Sequence, residues 1–387
     1  MNGFKIKGWC PSALRPMASG DGLVVRLRPR GGRLSRVQAS AIADLSNRYG
    51  NGLIDLTGRA NLQIRGVAAE NHETLVEALA QLALIDPDME IESRRNILVA
   101  PFWREGDDTP GLAAELERAL AARPLGLPEK FGFAVDCGAE RVLAQAPADI
   151  RIERRADGGM LVRADGAREG RAVTKAEAVD IALALARWFV NSGGASDGRG
   201  RMAAHVASGA TFPDAIAENA KPLPTIEPPN PGLYETGALV GLAFGQMRSE
   251  TLGFLATLAP GLRMTPWRMI LAEGVCEMPR HEDFVTGADD PLLRVVACTG
   301  APACPEAHAQ TRRLAAALAP HTGADERLHV SGCAKGCAHP GPSTITLVGT
   351  ANGFDLVRHG TTRDRPALQG LDPAKILSDI DALMGAS

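Results

Sequence analysis

Leu23, Val25 and Leu27 alternate with Val24, Arg26 and Arg28, the period of two that a half-buried strand shows. Ser35 then stands as an N-cap before Val37, Ala41, Ile42 and Leu45 on one helical face. Gly50-Asn51-Gly52 stops that helix, and the alternation returns in Leu53–Val67, broken at Gly58. Residues 21–67 thus read as strand, helix, strand, strand. The pattern further predicts helices over 71–86, 112–122 and 175–190, with Leu75, Leu79, Val179 and Leu185 among their apolar positions. A short strand follows Arg94, Arg95 and Asn96. Helices are also expected over 306–318 and 373–384, with a strand at Leu328-His329-Val330 and a hairpin turning on Asn352-Gly353.

Two features organise these elements. Residues 219–232 hold five prolines, which makes an extended, stiff linker between two halves. The second half repeats the first. Gly237–Leu242 resembles Gly22–Leu27, Ser249–Leu258 reads as the matching helix, and Thr265-Pro266-Trp267-Arg268 falls where Thr57-Gly58-Arg59 fell. Two like units about a pseudo-two-fold axis would leave a cleft between them, a favoured place for ligands. Arg59 and Arg65 would line one side, Arg263 or Arg268 the other.

Thr57, Arg59, Asn61, Gln63 and Arg65 are all odd-numbered positions. An extended chain would project them from one side, backed by Leu56, Leu62 and Ile64. A solvated strand face is one meaning of such a row. A surface for carboxylates is the other, since arginine grips them through a rigid fork.

Composition narrows the class. At 387 residues the chain suits two or three domains, and 45% hydrophobic content fills real cores. A net charge of −3 argues against nucleic acid as a partner. No run of 18 apolar residues predicts a membrane span and no apolar h-region marks a signal peptide, so a cytoplasmic protein with reduced thiols is expected.

The candidate chemistry is in the cysteines. Cys298, Cys304, Cys333 and Cys337 are spaced C-x5-C, then 28 residues, then C-x3-C. Four thiols in two close pairs suit a four-ligand site, and iron–sulfur clusters are held by such thiolates. Small residues at Gly300-Ala301-Pro302-Ala303, with Gly332 and Gly336, leave room for a bulky inorganic core. Zinc is the rival, although its sites usually carry tighter pairs at both ends. Cys10, Cys137 and Cys276 are scattered and read as structural. His308, His329 and His339 lie nearest the cysteines and read as helix-surface or loop residues. No G-x-G-x-x-G follows a strand, so no nicotinamide site is expected in this chain.

These motifs resemble the sirohaem sulfite and nitrite reductase superfamily over nearly the whole chain. Thr299-Gly300 after the first cysteine and Ser331-Gly332 before the third match its cluster motif. Thr57-x-Arg59-x3-Gln63, Arg95-Asn96-Ile97 and Leu127-Pro128-x-Lys130-Phe131 match its anion-site strand, Arg-Asn element and lysine loop. One departure is Gly132, where the reductases carry a second lysine. With the opening Gly8-Trp9-Cys10-Pro11 and Asp21–Arg26, this resembles the precorrin-3B synthase branch.

The resemblance implies an α+β fold: two ferredoxin-like half-domains (8–70 and 233–283), a first reductase-type α/β domain without cluster (71–218), the linker (219–232) and a 4Fe-4S domain (284–387). It implies oxygen-dependent C20 hydroxylation of precorrin-3A with γ-lactone formation, in cobalamin biosynthesis. It implies a [4Fe-4S] cluster on the four cysteines, a mononuclear non-haem iron, and electrons from NAD(P)H through a reductase or ferredoxin-like partner. Arg59, Gln63, Arg65, Arg95 and Lys130 are the candidate substrate-binding residues, and Cys337 is the cysteine expected to face the active centre. A sirohaem-dependent sulfite or nitrite reductase is the alternative, and a zinc-stabilised tetrapyrrole-binding protein a third.

Overall fold

The computed structural model describes residues 11–380. The Gly8-Trp9-Cys10 opening and the end of the last expected helix lie outside them. Among the described residues no helix is long and apolar enough to cross a membrane.

The first unit runs β1 (Met17–Ser19), β2 (Gly22–Leu27), β3 (Arg33–Ser35), α1 (Arg36–Tyr49), β4 (Leu53–Leu56), β5 (Leu62–Val67) and α2 (His72–Gln81). α1 starts at a capping box: Ser35 Oγ accepts from Gln38 N at 3.2 Å, and the Gln38 amide accepts from Ser35 N at 3.0 Å. Its buried face, Ala39, Ile42, Ala43 and Ser46, keeps the three-and-four spacing of the sequence. Leu75 and Leu79 of α2 join the same core.

The odd-numbered polar row is corrected here. β4 and β5 form a hairpin with Asp55 opposite Gln63, so 57–61 is a turn rather than extended chain. Thr57 Oγ1 accepts from the amides of Arg59 (3.3 Å) and Asn61 (3.2 Å), and Ala60 turns left-handed at φ 54°.

The second unit holds α3 (Met89–Arg94), β6 (Ile97–Val99), α4 (Asp108–Ala122), β7 (Phe133–Asp136), β8 (Ile150–Arg154), β9 (Met160–Ala164), β10 (Arg171–Val173), α5 (Ala178–Asn191) and α6 (Met202–Ala207). Its sheet has the order β10-β9-β8-β7-β6, with β6, β7 and β8 parallel and the rest antiparallel. Leu112, Leu116 and Leu120 of α4 and Val179, Leu183 and Phe189 of α5 fill its core. The proline-rich segment is extended as expected, and it is pinned to this unit by bridges from Ala220 to Gly170 and from Pro222 to Arg155.

The third unit repeats the first: β11 (Gly232–Tyr234), β12 (Gly237–Leu242), β13 (Gln246–Arg248), α7 (Ser249–Leu258), β14 (Gly261–Met264), β15 (Met269–Glu273) and β16 (Phe284–Val285). The likeness reaches single torsions. Gly31-Gly32 and Phe244-Gly245 share φ values of 58° and 69° against 57° and 70°. Thr265 Oγ1 accepts from Trp267 N at 3.3 Å, as Thr57 does from Arg59 N. The copies also exchange strands. β13 completes the first sheet against β4, and β3 completes the second against β14. Packing of α1 on α7 puts the duplicated pair over one shared core.

The last unit holds β17 (Val295–Ala297), α8 (Arg312–Leu318), β18 (Leu328–Ser331), β19 (Ser343–Thr350), β20 (Gly353–Gly360), β21 (Leu368–Leu371) and α9 (Pro373–Ser378). Its strand order, β17-β18-β19-β20-β21 with the first three parallel, repeats the plan of β6–β10. The helix expected from Glu306 begins only at Arg312. Residues before it spend their backbone on the cysteine loops instead: Ala301 N donates to Ala309 O at 2.9 Å and His308 N to Gly332 O at 2.8 Å.

Candidate functional site

Cys298 follows β17 and Cys333 follows β18. These strands are parallel neighbours, so both cysteine loops leave from the same edge of the sheet. Cys304 closes a tight turn, its N–H donating to Gly300 O at 2.8 Å. Thr311 Oγ1 holds Cys298 O at 2.6 Å. Gly300 is needed here: its φ is 71°, and a Cβ would lie 2.6 Å from Thr311 Oγ1. Gly332 is needed for closeness, since its Cβ would lie 2.6 Å from Ala307 Cβ.

The sulfurs meet backbone donors. Gly332 N donates to Cys298 Sγ at 3.2 Å, and the Lys335 amide bonds the Cys333 sulfur. Burial pushes the Cys333 and Cys337 thiols up. The thiols also act on one another: Cys298 and Cys304 add to the rise at Cys333, and Cys298, Cys333 and Cys304 add to it at Cys337. Four sulfurs within electrostatic reach, with N–H groups aimed at two of them, form a donor set that gains by losing protons to a metal. Among the described residues, no three His, Cys, Asp or Glu side chains close on a single ion. The four thiols of the cysteine loops are of the donor type that holds iron–sulfur clusters. Ligands for a mononuclear iron are not identified among the described residues.

Both half-domain copies touch these loops. From the first, Gly20 N donates to Ala303 O at 2.9 Å, and a Cβ at Gly20 would fall 2.1 Å from Pro302 O. Arg65 braces that turn. Its guanidinium grips Asp21 at 2.7 and 2.9 Å, Ser19 Oγ at 3.1 Å and Asp55 at 3.2 Å. From the second copy, Arg268 Nη2 donates to Ala338 O at 3.1 Å, beside Cys337.

The expected cations divide into two groups. Arg65, Arg95 and Arg263 are buried and internally neutralised. Arg95 pairs with Asp86 at 2.8 Å and donates to Arg28 O at 2.6 Å. Arg263 pairs with Glu273 at 2.7 Å and stacks on Trp103 at 3.4 Å. An arginine-lined cleft built on Arg65 and Arg263 is therefore corrected: their guanidinium groups serve the framework.

Arg59 and Lys130 form the other group. Arg59 Nη1 lies 3.5 Å from where a Cβ on Gly132 would sit, two residues past Lys130. The lysine loop is held by Asn96, whose amide donates to Glu129 O at 3.0 Å and Phe131 O at 3.3 Å. Lys130 itself is exposed. Arg201, which no sequence motif marks, donates to Lys130 O at 3.0 Å and pairs with Asp149 at 3.0 Å. Burial raises Asp149, and Arg201, then the amides of Met202 and Gly132, and Arg59 pull it back. With its amide turned so that the oxygen faces Arg26, Gln63 accepts from Arg26 Nη2 at 2.8 Å and Nε at 3.1 Å.

Cys137 is buried as expected, and burial pushes its thiol up to about 12. Cys276 is exposed, a correction, because it sits in the turn after β15. Cys10 lies outside the described residues. His329 is also corrected: it is a fully buried strand residue between β17 and β19, with neither ring nitrogen partnered. Burial, then His339 and Arg268, lower it to about 4.

Residues 15–82 match the family described as nitrite/sulfite reductase ferredoxin-like half domain. A precorrin-3B synthase from Sinorhizobium sp is 30% identical over 93% of this chain and 84% of its own length. A ferredoxin–nitrite reductase from Synechococcus elongatus is 33% identical over 34% of this chain and 27% of its own. The structure of the Mycobacterium tuberculosis NirA protein superposes with a TM-score of 0.69 over 93% of this chain and 79% of that one, at 16% identity, which speaks for the fold.

Proposed function

This chain belongs to the precorrin-3B synthase family of the sulfite/nitrite reductase superfamily, and from that premise we propose that it converts precorrin-3A to precorrin-3B with molecular oxygen. In the proposed reaction one oxygen atom enters the macrocycle as the C20 hydroxyl. The other leaves as water, two electrons come from an external donor such as NAD(P)H through a partner protein, and a ring-A acetate closes the γ-lactone. The observation that carries the reading is the span of the relationship. An alignment over 93% of the chain must take in both the cysteine loops and the Arg59–Lys130 loop.

Cys298, Cys304, Cys333 and Cys337 would hold a [4Fe-4S] cluster, which supplies one-electron transfer when bound. The chain's other residues bind and orient. Arg59, Lys130 and Arg201 meet around Gly132 and offer cations to the carboxylates that rim the macrocycle. Asp149 holds Arg201 and the backbone of Gly132 at 2.9 Å, fixing where those cations point. Arg65 and Arg95 act one layer deeper. Arg65 seats the Ser19–Gly20 turn on the cysteine loop, and Arg95 fixes Arg28 beside Asn96, which carries the lysine loop. Gln63 orients Arg26.

The test is anaerobic purification with iron, acid-labile sulfide and chromophore quantified, followed by turnover of precorrin-3A under labelled oxygen. Equal iron and sulfide, no sirohaem bands and one labelled atom in the product are expected. Sirohaem bands with sulfite or nitrite reduction would move the protein to its reductase cousins, and zinc without sulfide would overturn the cluster.

A further inference from the structure

Arg268 is the one left-handed arginine among the described residues, at φ 61°. Three contacts hold it there. Its turn repeats the Thr57 turn, with Thr265 N donating to Met269 O at 3.2 Å. Its stem lies across Gly245, where a Cβ would stand 3.0 Å from Arg268 Cγ and 3.1 Å from Cδ. Its head donates to Ala338 O, the carbonyl next to Cys337, at 3.1 Å. A second cation stands at the other end of the cysteine set. Arg312 follows Thr311, which holds Cys298 O, and it pairs with Asp55 at 3.0 Å. Asp55 also receives Arg65 at 3.2 Å and Gln246 at 3.0 Å, so this one carboxylate is shared between two ion pairs. The network beside the cysteine loops therefore carries more positive than negative charge.

We propose that Arg268 is a positioning and tuning residue: a half-buried cation, lent by the second half-domain to the cysteine loop, that raises the reduction potential of the cluster. The inference rests on the cluster reading above. Reducing a cluster adds one electron to it, and a fixed cation in a poorly screened site favours the reduced form. Arg268 also feels the Cys298 sulfur and Asp55 in the opposite sense to Arg312 and its own burial. A guanidinium does not shed its proton in a protein, so the charge is permanent. The fold explains how the cation reaches the loop. Ala60 occupies the same left-handed position in the first copy, where its methyl group carries no charge, and the second copy's turn carries Arg268 to Ala338 O beside Cys337.

The experiment is an anaerobic dithionite titration of the full chain, followed by the electron paramagnetic resonance signal of the reduced cluster. Arg268→Met should disfavour reduction at least tenfold, a fall of about 59 mV for a one-electron couple. Arg268→Lys should restore part of the difference. Asp55→Asn should move the potential upward, because it removes the opposing charge. That variant keeps the test decisive if Arg268→Met fails to assemble. Unchanged potentials, or downward shifts in both Arg268→Met and Asp55→Asn, would overturn the proposal. Protein lacking sulfide altogether would instead defeat the cluster reading, which the metal analysis separates from this outcome.

Discussion

β6–β10 and β17–β21 are one sheet plan used twice, and the two copies close their strand ends by different chemistry. Ala100 follows β6 and donates to Val135 O at 3.0 Å, where Cys298 follows β17 and donates to Val330 O at 3.4 Å. Asp136 ends β7 and Cys137 follows it, where Ser331 ends β18 and Gly332 follows it. The first copy closes on itself. Asp136 accepts from Leu143 N at 2.7 Å, Glu153 is clamped by Arg141 at 3.0 Å and Arg163 at 2.8 Å, and Arg151 reaches Leu143 O at 2.7 Å. Glu153, Arg151 and Arg163, all buried, are paired there. The second copy ends in four thiols, and those of Cys333 and Cys337 are raised by burial and by their neighbours' sulfurs. One sheet is closed by its own ion pairs and hydrogen bonds, and the other would be completed by the proposed cluster.

The sharpest way to break this comparison is to remove that group. Cys333→Ser or Cys337→Ser should abolish acid-labile sulfide binding outright. Hydrogen exchange should then rise in the 298–342 loops and stay unchanged across β6–β10. Equal loosening of both sheets would show that the contrast is false. Gly20→Ala comes next, because its Cβ would stand 2.1 Å from Pro302 O and backbone must move. We expect most of the cluster to be lost while far-ultraviolet circular dichroism is retained; full occupancy would show that the turn does not seat the loop.

The arginines sharpen the same contrast from the first half. Arg95→Ala removes one of the two guanidinium groups on buried Asp86, which keeps Arg30 at 2.8 Å; we expect a loss of about 1.5–3 kcal/mol of stability, read as a lower denaturant midpoint. Arg59→Ala and Lys130→Ala should leave that midpoint nearly unmoved. Each should weaken precorrin binding by about 1.5–3 kcal/mol, some ten- to a hundredfold, in an anaerobic titration. Equal effects of Arg95→Ala and Arg59→Ala on affinity would erase the division between framework and contact cations.

Sequence pattern reaches the duplicated units because periodicity and turn residues are local. α7 begins and ends where the alternation placed it, at Ser249 and Leu258, and the Thr265 turn falls on the Thr57 turn. The strand exchange between β3 and β13 left no such trace, since three-residue strands have too few positions to show a period. The cysteine spacing singled out two loops that leave neighbouring parallel strands, because a ligand set must be spelled out in residue types. The division among arginines could not be read, because it depends on which carboxylate the fold brings near. Asp21, Asp55 and Asp86 claim Arg65 and Arg95 from 9 to 44 residues away. Arg201 reached the lysine loop from 71 residues away and carried no motif at all.

The smallest expected effect probes the self-closed sheet. Burial raises Asp136 to about 7, with Glu153 adding to the rise and the Leu143 amide, Arg141 and Arg151 opposing it. An unfolded chain gives up this proton near 3.8, whereas the folded one keeps it to about 7. Between those values the folded state binds more protons, so this carboxyl's contribution is full below 3.8 and is lost as pH rises through 7. The slope is about 1.4 kcal/mol per pH unit. Asp136→Asn keeps an oxygen for Leu143 N and has no proton to lose, so the variant's stability should fall less between pH 4 and pH 7 than the parent's. Parallel pH profiles for variant and parent would mean that Asp136 is already ionised in the fold. The sheet without cysteines would then bear an unneutralised buried charge, and its claim to be closed on its own residues would fail.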